Sequence, residues 1–386
     1  MKNISDIKRI VLLTALGCAA GVLPLRAAAD NPATSDRWPV QKANEWAKQT
    51  GWRVGCNYIP STAVNQLEMW QADTFDPRTI DRELGWAQQL GFNGVRVFLH
   101  NLLWQQDSAG FLNRMDQFLD LADKHHIKVT FVLFDSCWNP DPKLGLQPAP
   151  QPFVHNSGWV QSPGREYMAH PERLAELKPY VQGVVGHFHN DPRIAFWDVF
   201  NEPDNMNDPA YIKKEPAAKS TAALLLLKDV FAWAREMHPS QPLTSGVWLG
   251  EWADPAGLSA FEKVQLGQSD IITFHNYGRP DGVERCIHNL RRYDRPIICT
   301  EYMARPLGST FNPILGDFKK EGVGAYNWGF VSGKTQTIYP WDSWTRTYTN
   351  EPPVWFHDIF HTDGTPYRLQ EVQYIRSVTM NLARAQ

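Results

Sequence analysis

Residues 196–203 form an apolar run that closes on Asn201, Glu202 and Pro203, and residues 296–301 form another that closes on Thr300 and Glu301. A buried strand that ends this way presents a carboxylate at its C-terminal mouth, and Pro203, lacking an N–H, forbids further ladder pairing. Two carboxyls held close do not ionise alike, so one keeps a proton while the other carries the charge. Cleavage of a glycosidic bond needs that division: a protonated carboxyl donates to the leaving oxygen, and an ionised one attacks the anomeric carbon. A gap of about 5 to 5.5 Å between them gives retention through a covalent intermediate, whereas about 6.5 to 9.5 Å admits a water and gives inversion.

Facing carboxyls require elements that bring residues 202 and 301 to one rim. Eight short apolar runs recur along the chain, at residues 53–58, 94–99, 127–134, 196–203, 243–248, 271–277, 296–301 and 322–328. Most are separated by turn residues and helical periodicity, which predicts successive βα units and one (β/α)8 TIM barrel of the α/β class. The first helix opens at Asp76 and Pro77, places Ile80, Leu84, Ala87 and Leu90 on one face, and stops at Gly91. The second buries Met115, Phe118, Leu119 and Ala122. Residues 135–165, rich in Pro, Asn, Gly and Trp, read as a long loop walling a cleft, and an aromatic loop with Tyr339, Trp341 and Trp344 follows the eighth run. No self-similar repeat and no linker divides the chain.

The first 29 residues read as an export signal: Lys2, Lys8 and Arg9, an apolar stretch over 10–25, then Ala27, Ala28 and Ala29. Gly21 and Pro24 interrupt that stretch, so no membrane span is expected in the mature chain. Residues 30–50 read as an N-terminal arm and 51–386 as the barrel, exported to the periplasm or the medium and monomeric. Cleavage removes four of the 38 basic residues and one of the 41 acidic, leaving 34 against 40 and a net charge of −6. That balance argues against a nucleic-acid partner. Cys56, Cys137, Cys286 and Cys299 remain without CxxC spacing, so no metal or cofactor is expected, and Cys286 with Cys299 is open to a disulfide or to two free thiols. The 16 Trp are divided between core packing and flat faces suited to sugar rings.

In this fold, functional side chains project from the C-terminal strand ends. Arg96 lies within the second run, Asp135 follows the third, Asn201 and Glu202 close the fourth, and Trp248 closes the fifth. His275 and Tyr277 close the sixth, Glu301 the seventh and Trp328 the eighth. With Asn201-Glu202-Pro203, His275-Asn276-Tyr277, Thr300-Glu301-Tyr302, Arg96 and Trp328 in this order, the chain resembles glycoside hydrolase family 5 from about residue 53 to 328.

The resemblance implies a retaining hydrolase of a β-linked plant-type polysaccharide or oligosaccharide, with Glu202 as acid/base and Glu301 as nucleophile. It implies that Asn201 binds the sugar 2-hydroxyl, that Tyr277 donates to Glu301 and that Arg96 lowers its pKa. His275 would fix the acid/base or a substrate hydroxyl, and Trp328 would lie under the sugar. Many members end strand three in a histidine, whereas this chain reads Asp135-Ser136-Cys137-Trp138, so Asp135 or Trp138 is expected to take over that contact. Endo action in an open cleft is the first expectation. Exo action is the alternative, with the loops after strands three and eight closing one end, and transglycosylation shares the same intermediate.

Each residue has a plainer reading. Arg96 could serve a barrel-core acid, and Asp198 reads as a hydrogen-bonded core acid. His125, His126, His187 and His189 fall at helix ends, where the dipole favours them, rather than in a metal cluster. Glu251, Asp204 and Asp342 are surface or loop acids. A carbohydrate-binding barrel without catalysis would lack one carboxyl, and an esterase would need a Gly-x-Ser-x-Gly elbow that is absent. The loop residues Trp138, Trp159, Trp248, Trp252, Trp341 and Trp344 are candidates for sugar stacking.

Overall fold

Each of the eight apolar runs overlaps a strand in the computed structural model, which describes residues 37–380, although the fourth strand starts two residues before its run and the seventh ends one residue after it. The strands are β1 (Val54–Asn57), β2 (Gly94–Phe98), β3 (Lys128–Val132), β4 (Ile194–Asp198), β5 (Leu243–Thr244), β6 (Ile272–His275), β7 (Ile297–Tyr302) and β8 (Gly324–Asn327). They form one parallel sheet in the order β5-β4-β3-β2-β1-β8-β7-β6. A parallel bridge from Val247 to Phe274 links its two edges, so the expected (β/α)8 barrel is nearly closed.

The weak seam is β5, which pairs over two residues where a run of six was expected. Side chains take its backbone groups: Ser269 Oγ accepts from Ser245 N at 3.1 Å, and Gln265 Nε2 donates to Gly246 O at 2.5 Å. A ladder cannot use groups already bonded elsewhere.

Helices cover the barrel where the periodicity places them. Pro77–Gln89 starts with the Asp76 side chain accepting from Thr79 N and buries Ile80, Leu84 and Ala87. Asn101–Lys124 buries Met115, Phe118, Leu119 and Ala122.

Inside the barrel, Phe196, Ile298 and Tyr326 form an apolar floor with Ala195 and Ile271. Gly94 is required there, because a Cβ would lie 2.3 Å from the Tyr326 hydroxyl. The floor is sealed from below by α1 (Val40–Thr50), so the second half of the expected arm is a packed helix. Trp38, Ala43 and Trp46 meet the floor, and Trp38 N donates to Asp270 Oδ1 at 2.8 Å. Burying two indoles supplies what the polar composition of the segment concealed.

At the opposite end the rim loops are tied together. From the loop after β3, Asn156 N donates to Thr335 O (2.9 Å), His155 N to Ser343 Oγ (3.0 Å) and Phe153 N to Gln336 Oε1 (2.8 Å) in the loop after β8. The loop after β1 joins them, with Asn65 Nδ2 donating to Gly158 O and Lys334 paired with Glu68. The rim from β8 through β1 and β2 to β3 is therefore one continuous wall.

The export signal expected over residues 1–29 lies outside the described residues. Among the described residues, no helix is long and apolar enough to cross a membrane. Cys56, Cys137, Cys286 and Cys299 are all free and buried, so the open choice for Cys286 and Cys299 falls to thiols.

Replacing Trp38 with Ala removes the seal of the floor. The variant is expected to lose about 3–5 kcal/mol of stability, measured by urea unfolding. An unchanged midpoint would show that α1 does not hold the barrel closed.

Candidate active site

Glu202 and Glu301 meet at the C-terminal mouth, and one oxygen of each lies within 4.8 Å of the other and of a His275 ring nitrogen. Their surroundings differ. Glu301 lies near the end of β7, where the ladders to both neighbouring strands shift register, and Arg96 Nη1 donates to Oε1 at 2.8 Å and Tyr277 Oη to Oε2 at 2.7 Å. Glu202 follows its strand in the left-handed region, at φ 41, which is uncommon for a residue other than glycine. That turn aims its carboxyl at His275 Nδ1, 2.8 Å from Oε1, while Asn205 Nδ2 donates to Oε2 at 2.7 Å.

Burial pushes both carboxyls above their ordinary range. For Glu301 the opposing pull comes first from His275, then from direct contact with the Arg96 guanidinium and the Tyr277 phenol, whereas Glu202 is opposed chiefly by Asn205 and Cys137. The contacts thus favour the ionised form at Glu301, which touches Arg96, more than at Glu202, which does not. Burial lowers His275 to about 4, so the imidazole between them is neutral near pH 7.

Arg96 is wholly buried in the barrel. Its Nε and Nη2 reach Asp198 Oδ2 at 3.0 and 2.8 Å, Nη1 also reaches Asn57 Oδ1 at 2.7 Å, and Nη2 reaches Asn201 Oδ1 at 2.6 Å. The strand alternation that turns Val95 and Val97 outward turns Arg96 inward. Among the described residues, Glu202, His275 and Glu301 are the one group with metal-ligand spacing. Arg96 already supplies the positive charge there, and hydrogen bonds hold the donor atoms, so the group reads as an acid–histidine–acid cluster.

A cleft of about 260 Å³ opens over the pair. Of the ten candidates from the sequence, Asn201, Glu202, Tyr277, Glu301, Trp328, Trp138 and Trp248 line it. Trp328 packs edge-on against Phe98 and Trp159, with centroids at 5.7 and 5.9 Å. Trp138 stacks on Trp344 at 5.4 Å, and Trp248 donates from Nε1 to Asp204 Oδ1 at 2.6 Å. Trp341 packs on Tyr277 at 5.0 Å. Trp252, by contrast, is buried against Phe274 and bonds Glu262.

The other three stand behind the lining: Arg96 and His275 hold the carboxyls as expected, and the expectation that Asp135 contacts substrate is corrected. Arg96 is 0% and Asp135 1% exposed. Asp135 accepts from Trp159 Nε1 (2.7 Å), Asn201 Nδ2 (2.9 Å) and Cys137 N (3.0 Å), so it orients Asn201 instead of reaching a ligand. His275 lies beneath the two carboxyls, 3% exposed. Asp198 is the buried partner of Arg96, and Glu251 pairs with Arg285 on the surface. Among the histidines weighed for metal, His125 bonds Asp81 and His189 bonds Gly186 O.

Sequence reasoning missed Asn205 and Cys137 as partners of Glu202 and Asn57 as a partner of Arg96. Only the spacing of three from Glu202 to Asn205 offered a signal, and it becomes one only with the turn in place.

No family model matches the chain, and no curated protein matches it in sequence. Solved structures are similar in fold. GH5_18 from Streptomyces cattleya in complex with Manβ1-4GlcNAc matches at 13% identity, over 87% of this chain and 82% of that one, with a TM-score of 0.58. The endo-β-1,4-mannanase from Thermotoga petrophila matches at 14% identity over 87% and 77%, with a TM-score of 0.54. The exo-β-1,4-mannosidase Op5Man5 from Opitutaceae bacterium strain TAV5 matches at 17% over 87% and 61%, with a TM-score of 0.55. At these identities the likeness is one of fold.

Replacing Arg96 with Leu would strand two buried carboxylates. The expected loss is about 3–5 kcal/mol at neutral pH. It shrinks as the pH falls, because Glu301, whose carboxyl burial pushes above its ordinary range, then takes up a proton and no longer needs the cation. Thermal melts of both proteins across pH 4 to 8 test this, and a loss independent of pH would mean that packing rather than charge is at stake.

Proposed function

We propose that this protein is a retaining glycoside hydrolase of the family 5 type, acting on β-linked sugars. The observation that carries the reading is the approach of Glu202 and Glu301 to within 4.8 Å, each with different partners. Such closeness supports direct attack and leaves no room for a water between the carboxyls.

In the first step, Glu301 attacks the anomeric carbon and forms a glycosyl ester. The glycosidic bond breaks towards the leaving oxygen, which takes the Glu202 proton. The ester no longer carries the charge that held Glu202 protonated. Glu202 then draws a proton from an incoming water as that water attacks the same carbon, and Glu301 departs ionised towards Arg96 and Tyr277. Asn201, with Oδ1 fixed by Arg96 and Nδ2 by Asp135, faces the cleft where a sugar 2-hydroxyl would lie. Trp328 offers the ring face beneath it.

The continuous wall from β8 to β3 supports exo action over the endo action first expected. The leaving group must lie on the Glu202 side, at β4, so the sugar that is transferred points at the wall. One terminal unit fits a cleft of about 260 Å³ that is blind there. β-Mannosides come first among substrates, because the similar structures include an endo-mannanase, an exo-mannosidase and a complex with Manβ1-4GlcNAc. The basic, apolar and small-residue order of residues 1–29 supports export.

A panel of aryl β-glycosides and β-linked oligosaccharides, with the first-formed anomer followed by NMR, tests the reading. A β product released one sugar at a time is expected, and Glu301→Gln abolishes turnover. Glu202→Gln lowers kcat/KM by about 10²- to 10⁴-fold on substrates with poor leaving groups. An α product would sink the retaining mechanism, and internal cleavage of long chains would sink the exo reading.

A further inference from the structure

The thiol of Cys137 lies against the acid. Cys137 Sγ is 3.3 Å from Glu202 Oε2, the oxygen that also accepts from Asn205 Nδ2. The sulfur in turn accepts from Asn205 Nδ2 and Asn201 Nδ2, each at 3.5 Å. Two amides thus converge on the contact between one oxygen and one sulfur. The backbone around the thiol is fixed: Cys137 N donates to Asp135 Oδ1 at 3.0 Å, and Trp138, in the left-handed region at φ 68, donates from N to Asn207 Oδ1 at 2.6 Å. Cys137 lines the cleft in the segment where this chain lacks the strand-three histidine of the family it resembles.

We propose that Cys137 is a positioning residue for Glu202, whose S–H, together with Asn205, holds Oε2 in place and sets the strength of that carboxyl as an acid. The inference rests on the acid role proposed for Glu202. A thiol suits the task because it is a weak donor. It satisfies a buried oxygen at little cost, yet stabilises the ionised carboxylate less than a stronger donor would. Burial, with Asp135 and Glu202 nearby, holds the thiol protonated, so it donates and is no nucleophile.

The groups facing Glu202 come from every neighbouring strand end: Arg96 from β2, Asp135 beside Cys137 after β3, Asp204 after β4, His275 and Tyr277 at β6, and Glu301 at β7. None of these changes when the thiol alone is replaced. Removing a donor to the ionised form must raise the carboxyl's pKa, and restoring a stronger one must lower it.

The test titrates Glu202 directly, by carboxyl-¹³C NMR of the full-length protein, with Glu202→Gln to assign the signal. Cys137→Ala is expected to raise the Glu202 pKa by about half a pH unit. Cys137→Ser, which keeps a donor, is expected to return it to the parent value or below. The alkaline limb of kcat/KM, where the acid is lost, should move with each. Equal titration of parent, Ala and Ser proteins, or a common shift in both variants, would overturn the role of the thiol. Shifts that follow the expected order while the alkaline limb stays still would uphold the thiol's effect on Glu202 and overturn the acid role on which its function rests.

Discussion

The barrel mouth depends on one guanidinium. Arg96 is fully buried and bonds Asp198, Glu301, Asn57 and Asn201 at once, so it joins β1, β2, β4 and β7 through side chains as well as ladders. A charge in that position is tolerable only because carboxylates on two sides and amides on the others satisfy its donors. Its planar fork is what allows four partners to be held in fixed directions, which a lysine ammonium cannot do. The same contacts that make the cation tolerable also leave Glu301 ionised and aim Asn201 into the cleft.

The two carboxyls are chemically identical and become different through position. Glu301 stays on the strand and inherits Arg96 and Tyr277, while Glu202 turns out of its strand at positive φ and meets only neutral donors. The backbone turn at one residue thereby gives the two carboxyls different partners. His275 can stand between them without adding charge, since burial keeps it neutral.

The floor and the rim show how the scaffold divides its work. Phe196, Ile298 and Tyr326, sealed by Trp38 and α1, make the lower barrel apolar and rigid. At the upper rim the loops after β1, β3 and β8 are bonded to one another. Such a wall is set by contacts between residues about 180 apart, so the shape of the cleft follows from loops that meet only in the folded chain.

Much of this was legible in the residues. Local periodicity marks a strand or a helix wherever it occurs, so every apolar run overlaps a strand, and the alternation that turns Arg96 inward is a property of β2 itself. The strand-end rule then brings Glu202, Glu301, Tyr277 and Trp328 to one cleft without any knowledge of the loops. Asp135 shows the limit: its type and place say that it is polar at a strand end, but Trp159, 24 residues on, decides that it faces away from the cleft. The helix after Trp38 stayed hidden because its few apolar residues gain their meaning from the barrel floor they seal. The barrel and the residues at its mouth can be read from the chain alone, because both follow from short-range pattern. It took the folded chain to give the two carboxyls their different partners, to place Arg96, Asp135 and His275 behind the lining and to join the rim loops. Those depend on burial and on partners distant in the chain, which no local pattern encodes.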